Sequence, residues 1–441
     1  MYLAALAACG FPRPADVPSC TSASDCKSPA APLCVAGDCV ATCQRNDDCQ
    51  GVPGAPFCET STGSCVGCLE ATSCPTDKPI CDAGSHVCKV CDRDDECSSG
   101  VCLDAEGRCA AANEVVFLGQ EATDNAMCTA AAPCRSFAAG LAVATPQRYV
   151  IHIIGGTYRM ATGVAPAGRR FYIDGSDTIV FNDQGTTFSA TESGQTITLS
   201  RMTINAAGGT AVAVSNNSAV LLYQVALEAN AVATGGALDL EQSTAKDVTC
   251  SSAGVLNIER STAGHIGSTS CGVTLAADRL TGQLEVTGGK VIVENNVITS
   301  QDELQDAVSL LGSVSGSRFA FNTVVNFSGV DGTSIVLACN PAVDVSSNIL
   351  AWHSSHPLTI DGCAPHHSLL DSLVPAQLVG TNHQGPAAAF FLDLGGHDLH
   401  LAATSPARGI GEPGVIDVDV DGNLRPNPVG TAPDVGAYER P

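Results

Sequence analysis

The chain reads as an all-β solenoid preceded by a disulfide-stapled stalk, and three observations carry that expectation. Cysteines crowd the first quarter in regular blocks. From about residue 114, short alternating apolar triplets recur at a near-constant step. Aromatic and charged residues are scarce beside Gly, Ala, Val, Thr, Ser and Asn, the palette of many short stacked strands. At 441 residues the chain has room for two or three domains. Lys plus Arg number 21 against 45 Asp plus Glu, and the net charge of -24 argues against nucleic acid or an anionic lipid surface as partner. No run of about eighteen apolar residues occurs to span a bilayer as a helix.

The first element, residues 1–9, ends in Leu6-Ala7-Ala8-Cys9. A Leu, two small residues and a Cys match the end of a bacterial lipoprotein signal, whose peptidase accepts only small side chains beside the thiol that is acylated. The expectation is lipidation at Cys9, with membrane attachment through the lipid alone. The segment before it is only Met1-Tyr2, without Lys or Arg, so the true start is expected upstream of Met1. Residues 10–19 read as a linker.

Residues 20–110 form four cysteine blocks: Cys20, Cys26, Cys34, Cys39; Cys43, Cys49, Cys58, Cys65; Cys68, Cys74, Cys81, Cys88; and Cys91, Cys97, Cys102, Cys109. Asp47-Asp48-Cys49 resembles Asp95-Glu96-Cys97, and Pro32-Leu33-Cys34 resembles Pro56-Phe57-Cys58 and Pro79-Ile80-Cys81. A unit this small cannot bury a core of its own, so covalent staples must replace burial. The competing reading is a zinc ribbon at Cys65-x2-Cys68 and Cys88-x2-Cys91. It is set aside because each pair straddles a repeat boundary, Cys74 and Cys81 would be left over, and the chain carries an export signal. Three connectivities per block stay open. The blocks resemble cysteine-rich repeats in stalks of exported myxobacterial proteins and, loosely, Dickkopf-type and EGF-like modules, which implies a spacer or interaction role.

Residues 114–441 form the second region. Alternating triplets begin at Ile197, Val220, Leu238, Leu256, Val273, Val291, Phe319 and Val343, in steps of 23, 18, 18, 17, 18, 28 and 24 residues. Short strands with one apolar face bury it only by stacking on copies of themselves. The stretches Val291–Ile298, Phe319–Val325 and Val343–Leu350 resemble coils of the right-handed parallel β-helix of pectin-lyase-like proteins; Asn296 and Asn348 stand at equivalent offsets, where an amide can bond backbone at a tight turn. Pro133-Cys134-Arg135-Ser136-Phe137 opens a small-residue helix in which Phe137 and Leu141 can cap the solenoid. At the other end, Asp398-Leu399-His400-Leu401, Ser405-Pro406-Ala407, Asp419–Arg425 and Asp434–Glu439 resemble the closing segment of exported β-helix proteins of the choice-of-anchor Q type. Arg408 and Gly409 depart from that pattern, which usually has an aliphatic residue and an Asp.

No polygalacturonase-like or pectin-esterase-like series of catalytic residues is found. Two positions past the middle of each triplet, an outward column reads Ser200, Tyr223, Glu241, Glu259, Ala276, Glu294, Asn322, Ser346. Glu241 and Glu259 then fall on adjacent coils about 4.8 Å apart, a spacing compatible with a retaining glycosidase pair, with Arg260 one position further on. The plain alternative is a solvated acidic face. Arg201 and Arg279 either assist a lyase or neutralise the stripe. Asp417, Asp419 and Asp421, followed by Gly422 and Asn423, resemble half of a calcium loop without its closing Glu, so no cofactor is expected beyond weakly bound Ca2+. His353, His356, His366, His367 and His383 surround an irregular coil; His353 and His356 fall on opposite faces of an extended segment and do not form a metal pair.

Of the remaining cysteines, Cys128 and Cys134 should close a small loop, while Cys250 with Cys271, and Cys339 with Cys363, should staple one coil to the next, adjacent strands being within disulfide reach. The function expected from these features is an exported lipoprotein at the outer membrane or cell surface, otherwise extracellular, with a non-catalytic binding or structural role toward an extended polysaccharide or surface partner. The rival expectation is a polysaccharide lyase or glycoside hydrolase using Glu241, Glu259 and Arg260.

Overall fold

The computed structural model describes residues 20–21, 25–26, 33–35, 38–40, 42–160, 163–168, 170–183, 185–301, 306–327, 336–352, 359–371, 381–413 and 416–440. Cys9, His353 and His356 lie outside the described residues. The chain divides into two compact units, Met1–Ala112 and Asn113–Pro441.

In the first unit the third and fourth cysteines of each block face one another on a two-stranded antiparallel hairpin: Cys34 opposite Cys39, Cys58 opposite Cys65, Cys81 opposite Cys88, and Cys102 opposite Cys109. In the second, third and fourth blocks both hairpin cysteines reach back to the preceding loop, and in the first block Cys34 reaches back to Cys20. Cys43 bonds Cys58 and Cys49 bonds Cys65; Cys68 bonds Cys81 and Cys74 bonds Cys88; Cys91 bonds Cys102 and Cys97 bonds Cys109. The pairing is first to third and second to fourth, and it consumes the four thiols a zinc ribbon would need. The recurring acids hold the loops. Asp48 accepts the backbone N–H groups of Gln44 and Arg45, and Glu96 accepts that of Asp92. Burial alone would raise the Glu96 carboxyl, but the Asp92 N–H and the Lys89 ammonium outweigh it and hold the group at about 2.

The second unit is a parallel β-helix, because each short strand meets its own apolar pattern one coil later. One face stacks Val115–Leu118, Val150–Ile153, the starts of Arg170–Asn182, Thr196–Ala206 and Ala219–Leu227, then Ala237–Glu241, Val255–Glu259, Gly272–Ala276, Val291–Glu294, Ser317–Ala320 and Val343–Ser346, all in parallel register. A second face runs through Arg279–Leu280, Val297–Ser300, Thr323–Asn326 and Ile349–Trp352, and a third through Leu284–Thr287, Val308–Leu311 and Leu337–Cys339. Ile197, Val220, Leu238, Leu256, Val273 and Val291 form one interior file, each no more than 2% exposed. Burying a side chain of that size contributes about 1.5–3 kcal/mol.

The end of the solenoid is closed by the helix Phe137–Val143, whose first turn is capped by Ser136 Oγ accepting the Ala139 N–H. Phe137 packs edge-on against Tyr158 and Phe188, and Leu141 rests on the same core. Three further disulfides join Cys128 to Cys134, Cys250 to Cys271 and Cys339 to Cys363, with Cα atoms 4.8, 6.2 and 5.3 Å apart.

One coil departs from the expected register. Val293, not Val291, pairs with Phe319, so the strand is Ser317–Ala320 and the outward column passes through Ala320 rather than Asn322. Phe321 imitates the third residue of an apolar triplet, yet it stands in the left-handed region at φ 55° on the turn. The closing segment covers it: Arg425 lies over its ring at 4.8 Å, which offsets the strain of a bulky residue in that conformation.

Candidate functional site

With the register corrected, the outward column reads Phe117, His152, Asp174, Ser200, Tyr223, Glu241, Glu259, Ala276, Glu294, Ala320, Ser346. The residue after it is left-handed on coil after coil, at Arg201, Gln224, Gln242, Arg260, Ala277, Asn295, Phe321, Ser347 and His367. This turns the chain sharply enough to begin the next face.

The position beyond is a buried ladder. Side-chain oxygens of Ser243, Ser261, Asp278, Asn296, Asn322, Asn348, Ser368 and Asn382 each accept a backbone N–H from the preceding coil, at 2.8–3.1 Å. The asparagines also donate back: Asn296 Nδ2 to the carbonyls of Leu275 and Glu294, and Asn348 Nδ2 to those of Phe319 and Ser346. Asp278 is the one ladder acid. Burial drives its carboxyl up to about 8 despite the N–H groups of Ser261 and Ala276. The ladder fixes the turn, and the turn aims the column.

The column's acids are paired. Arg260 reaches Glu241 at 2.9 Å and Glu259 at 3.3 Å, so both glutamates share one guanidinium. Arg318, on the neighbouring outward file, engages Glu294. Arg201 and Arg279 serve other partners. Arg201 forks onto Asp174, which is fully buried and also bonds His152 Nδ1 at 2.7 Å. Arg279 donates to Asp421 Oδ1 and to the Tyr438 hydroxyl. Sequence spacing cannot join Arg279 to Asp421, because 142 residues separate them.

Between the column and the closing segment lies a cleft of about 530 Å3, with Glu259, Arg260, Arg279 and Glu294 on one wall and Val418–Gly422 on the other. The closing segment is seated by long-range bonds. Asn295 Nδ2 donates to the Val418 carbonyl, Ala437 N to Thr323 Oγ1, and Gly436 N to the Ser347 carbonyl. A Cβ at Gly436, whose φ is 85°, would fall 2.7 Å from Thr323 Oγ1 and Ile349 Cδ1, so glycine is required there. Gly409 stands at φ 65° and donates its N–H to Asp434 Oδ1.

Protein groups bond the half calcium loop from several sides. Asp419 is buried and accepts the N–H groups of Asp421, Asn423 and Glu439 together with Asn423 Nδ2. Asp421 is held between Arg279 and His400 Nε2, while Asp417 offers its backbone carbonyl to Arg425 N. Burial pulls the His400 imidazole down, but the carboxylates of Asp398 and Asp421 on its two nitrogens outweigh that and hold it above its ordinary value.

No family model matches the sequence, and no curated protein does. Among solved structures, the chain is similar to the crystal structure of pectate lyase Pel9A, at 14% identity and a TM-score of 0.38 over 80% of this chain and 100% of that one.

Proposed function

We propose that the chain is an exported, lipid-anchored surface protein whose β-helix binds an extended neutral polysaccharide without cleaving it. The observation that carries this reading is the pairing along the column: Glu241 and Glu259 both engage Arg260, and Glu294 engages Arg318. Such pairs present fixed donors and acceptors to hydroxyl groups along the solenoid, and because Arg260 and Arg318 already serve carboxylates they favour a neutral polymer over a polyuronate. A retaining pair needs one carboxyl to donate a proton and the other to attack the sugar; two that serve a single guanidinium are arranged as acceptors. Export and anchoring at Cys9 are supported by Leu6-Ala7-Ala8-Cys9 and by the disulfides of the first unit, which suit an oxidising compartment. The disulfide-rich repeats, in this reading, are the tether between lipid and β-helix.

Two experiments test it. Expressed from its full upstream start, the protein should partition with detergent, and Cys9→Ser should release it or leave the precursor uncut; equal membrane association of a correctly processed mutant removes the anchor. Incubation with a panel of neutral and acidic glycans, followed by reducing ends and by absorbance of unsaturated product, should give retention of neutral polymers and no cleavage. If cleavage appears and Glu241→Gln or Glu259→Gln lowers kcat by at least about a hundredfold, the enzyme reading replaces this one.

A further inference from the structure

At the far end of the column, three electron-pair donors from distant parts of the chain converge. His366 bridges Ser346 in parallel register and so continues the outward column, and His367 takes the left-handed turn position at φ 47°. The turn, followed by the ladder residue Ser368 as on the coils before it, displays two successive imidazoles here. The backbone is fixed on both sides: His366 N donates to the Val345 carbonyl, Ser347 N to the His366 carbonyl, and His367 N to Thr381 Oγ1. Glu412 comes from the closing segment, its own N–H donating to Ser347 Oγ at 2.9 Å.

The resulting distances form a triangle. Glu412 Oε1 lies 3.4 Å from His366 Nδ1 and 3.0 Å from His367 Nδ1, and the two Nδ1 atoms are 3.2 Å apart. A tetrahedral ion with bonds of about 2.0–2.1 Å to nitrogen and oxygen requires ligand atoms about 3.3–3.4 Å apart, which these edges approach. A fourth group fixes the proton on one ring. His366 Nε2 donates to Asp344 Oδ1 at 2.8 Å, and because an ionised carboxylate can only accept, the Nδ1 lone pair of His366 is turned toward the triangle. Asp344 is thus placed as the carboxylate that orients a metal-binding histidine. The three donor side chains are about one-third to one-half exposed, so an ion can enter from solvent.

We propose that His366, His367 and Glu412 bind a divalent transition-metal ion, with Asp344 as the positioning residue. Two imidazoles and one carboxylate suit Zn2+ and not Ca2+, which takes oxygen ligands. Three protein donors leave a position for water or an anionic ligand at the end of the polysaccharide face. The site does not depend on whether that face binds glycan.

The test is Zn2+ titration by calorimetry on the full, disulfide-bonded chain without a histidine tag, paired with visible absorption of the Co2+-loaded protein. Uptake of about one Zn2+ per chain is expected, with each of His366→Ala, His367→Ala and Glu412→Gln weakening it at least about tenfold and Asp344→Asn weakening it about tenfold. The Co2+ absorption should disappear in the His366→Ala/His367→Ala double variant and persist in His383→Ala, which removes a nearby exposed histidine. Absence of stoichiometric Zn2+ uptake by the wild-type chain, or uptake unchanged in the double variant, overturns the proposal.

Discussion

The disulfide-rich unit and the β-helix face the same difficulty, a repeat too small to bury a core, and answer it differently. In the first unit the buried clusters consist mostly of cystine itself: Cys43, Cys49 and Cys58 with Leu33 in one, and Cys91, Cys97 and Cys102 in another. In the β-helix the interior is aliphatic and continuous from coil to coil, and the polar price of each turn is met by the Ser/Asp/Asn ladder. One unit is therefore expected to depend on oxidation, whereas the other is built on stacking, with disulfides added at few places.

Reduction should separate them most strongly. Losing a native disulfide in a small domain costs about 2–5 kcal/mol, and each repeat leans on two, so reductant under native conditions should expose residues 42–109 to protease while the β-helix resists. Equal resistance of both units after complete reduction would erase the contrast. Within the β-helix, Leu240→Ala removes an inward side chain 1% exposed and should cost about 2–5 kcal/mol in denaturant unfolding, without affecting the oxidised first unit.

The ladder allows a finer test. Asn322→Ala leaves the Asn296 N–H and the Val293 carbonyl without their partner, a loss of about 1–3 kcal/mol. Asp278 gives the same site a pH dependence. The folded carboxyl keeps its proton up to about pH 8, whereas the unfolded one loses it near 3.8, so the folded state binds more protons across that window. Stability should fall as pH rises through the window and level off above it. Asp278→Asn, which does not titrate, should flatten that fall even if the Ala276 N–H loses its acceptor, read from urea midpoints at pH 5 and pH 8.5; an equal fall in the variant would assign it to other groups. Smallest of all, Arg260→Ala removes an exposed pair of contacts and should change stability by less than about 1 kcal/mol.

What was legible in the sequence follows from the range of the forces involved. Period-2 alternation is local, and it carried the coil register from Ile197 to Val293 and the adjacency of Glu241 and Glu259. It failed at Phe321, whose burial comes from Arg425 in the closing segment rather than from its own strand. The pairing of Arg279 with Asp421, and the meeting of His366 and His367 with Glu412, depend on that segment folding back, and no local pattern encodes the distance. The same alternation places Asn322 on the outward column, whereas its likeness to Asn296 and Asn348 marks it as a residue of the buried ladder. Cysteine spacing delimited the repeats but not their pairing, because that is decided by the hairpin that sets the third and fourth cysteines opposite one another.

In the proposed reading the paired column is a binding face and not a pair of reacting carboxylates. Its most direct test is retention of a neutral polysaccharide by wild-type protein and by Glu241→Gln/Glu259→Gln, with product release measured in the same samples. Retention by wild type, weaker retention by the double variant, and no reducing ends or unsaturated product from either are expected. Cleavage by wild type that disappears in the double variant would contradict it.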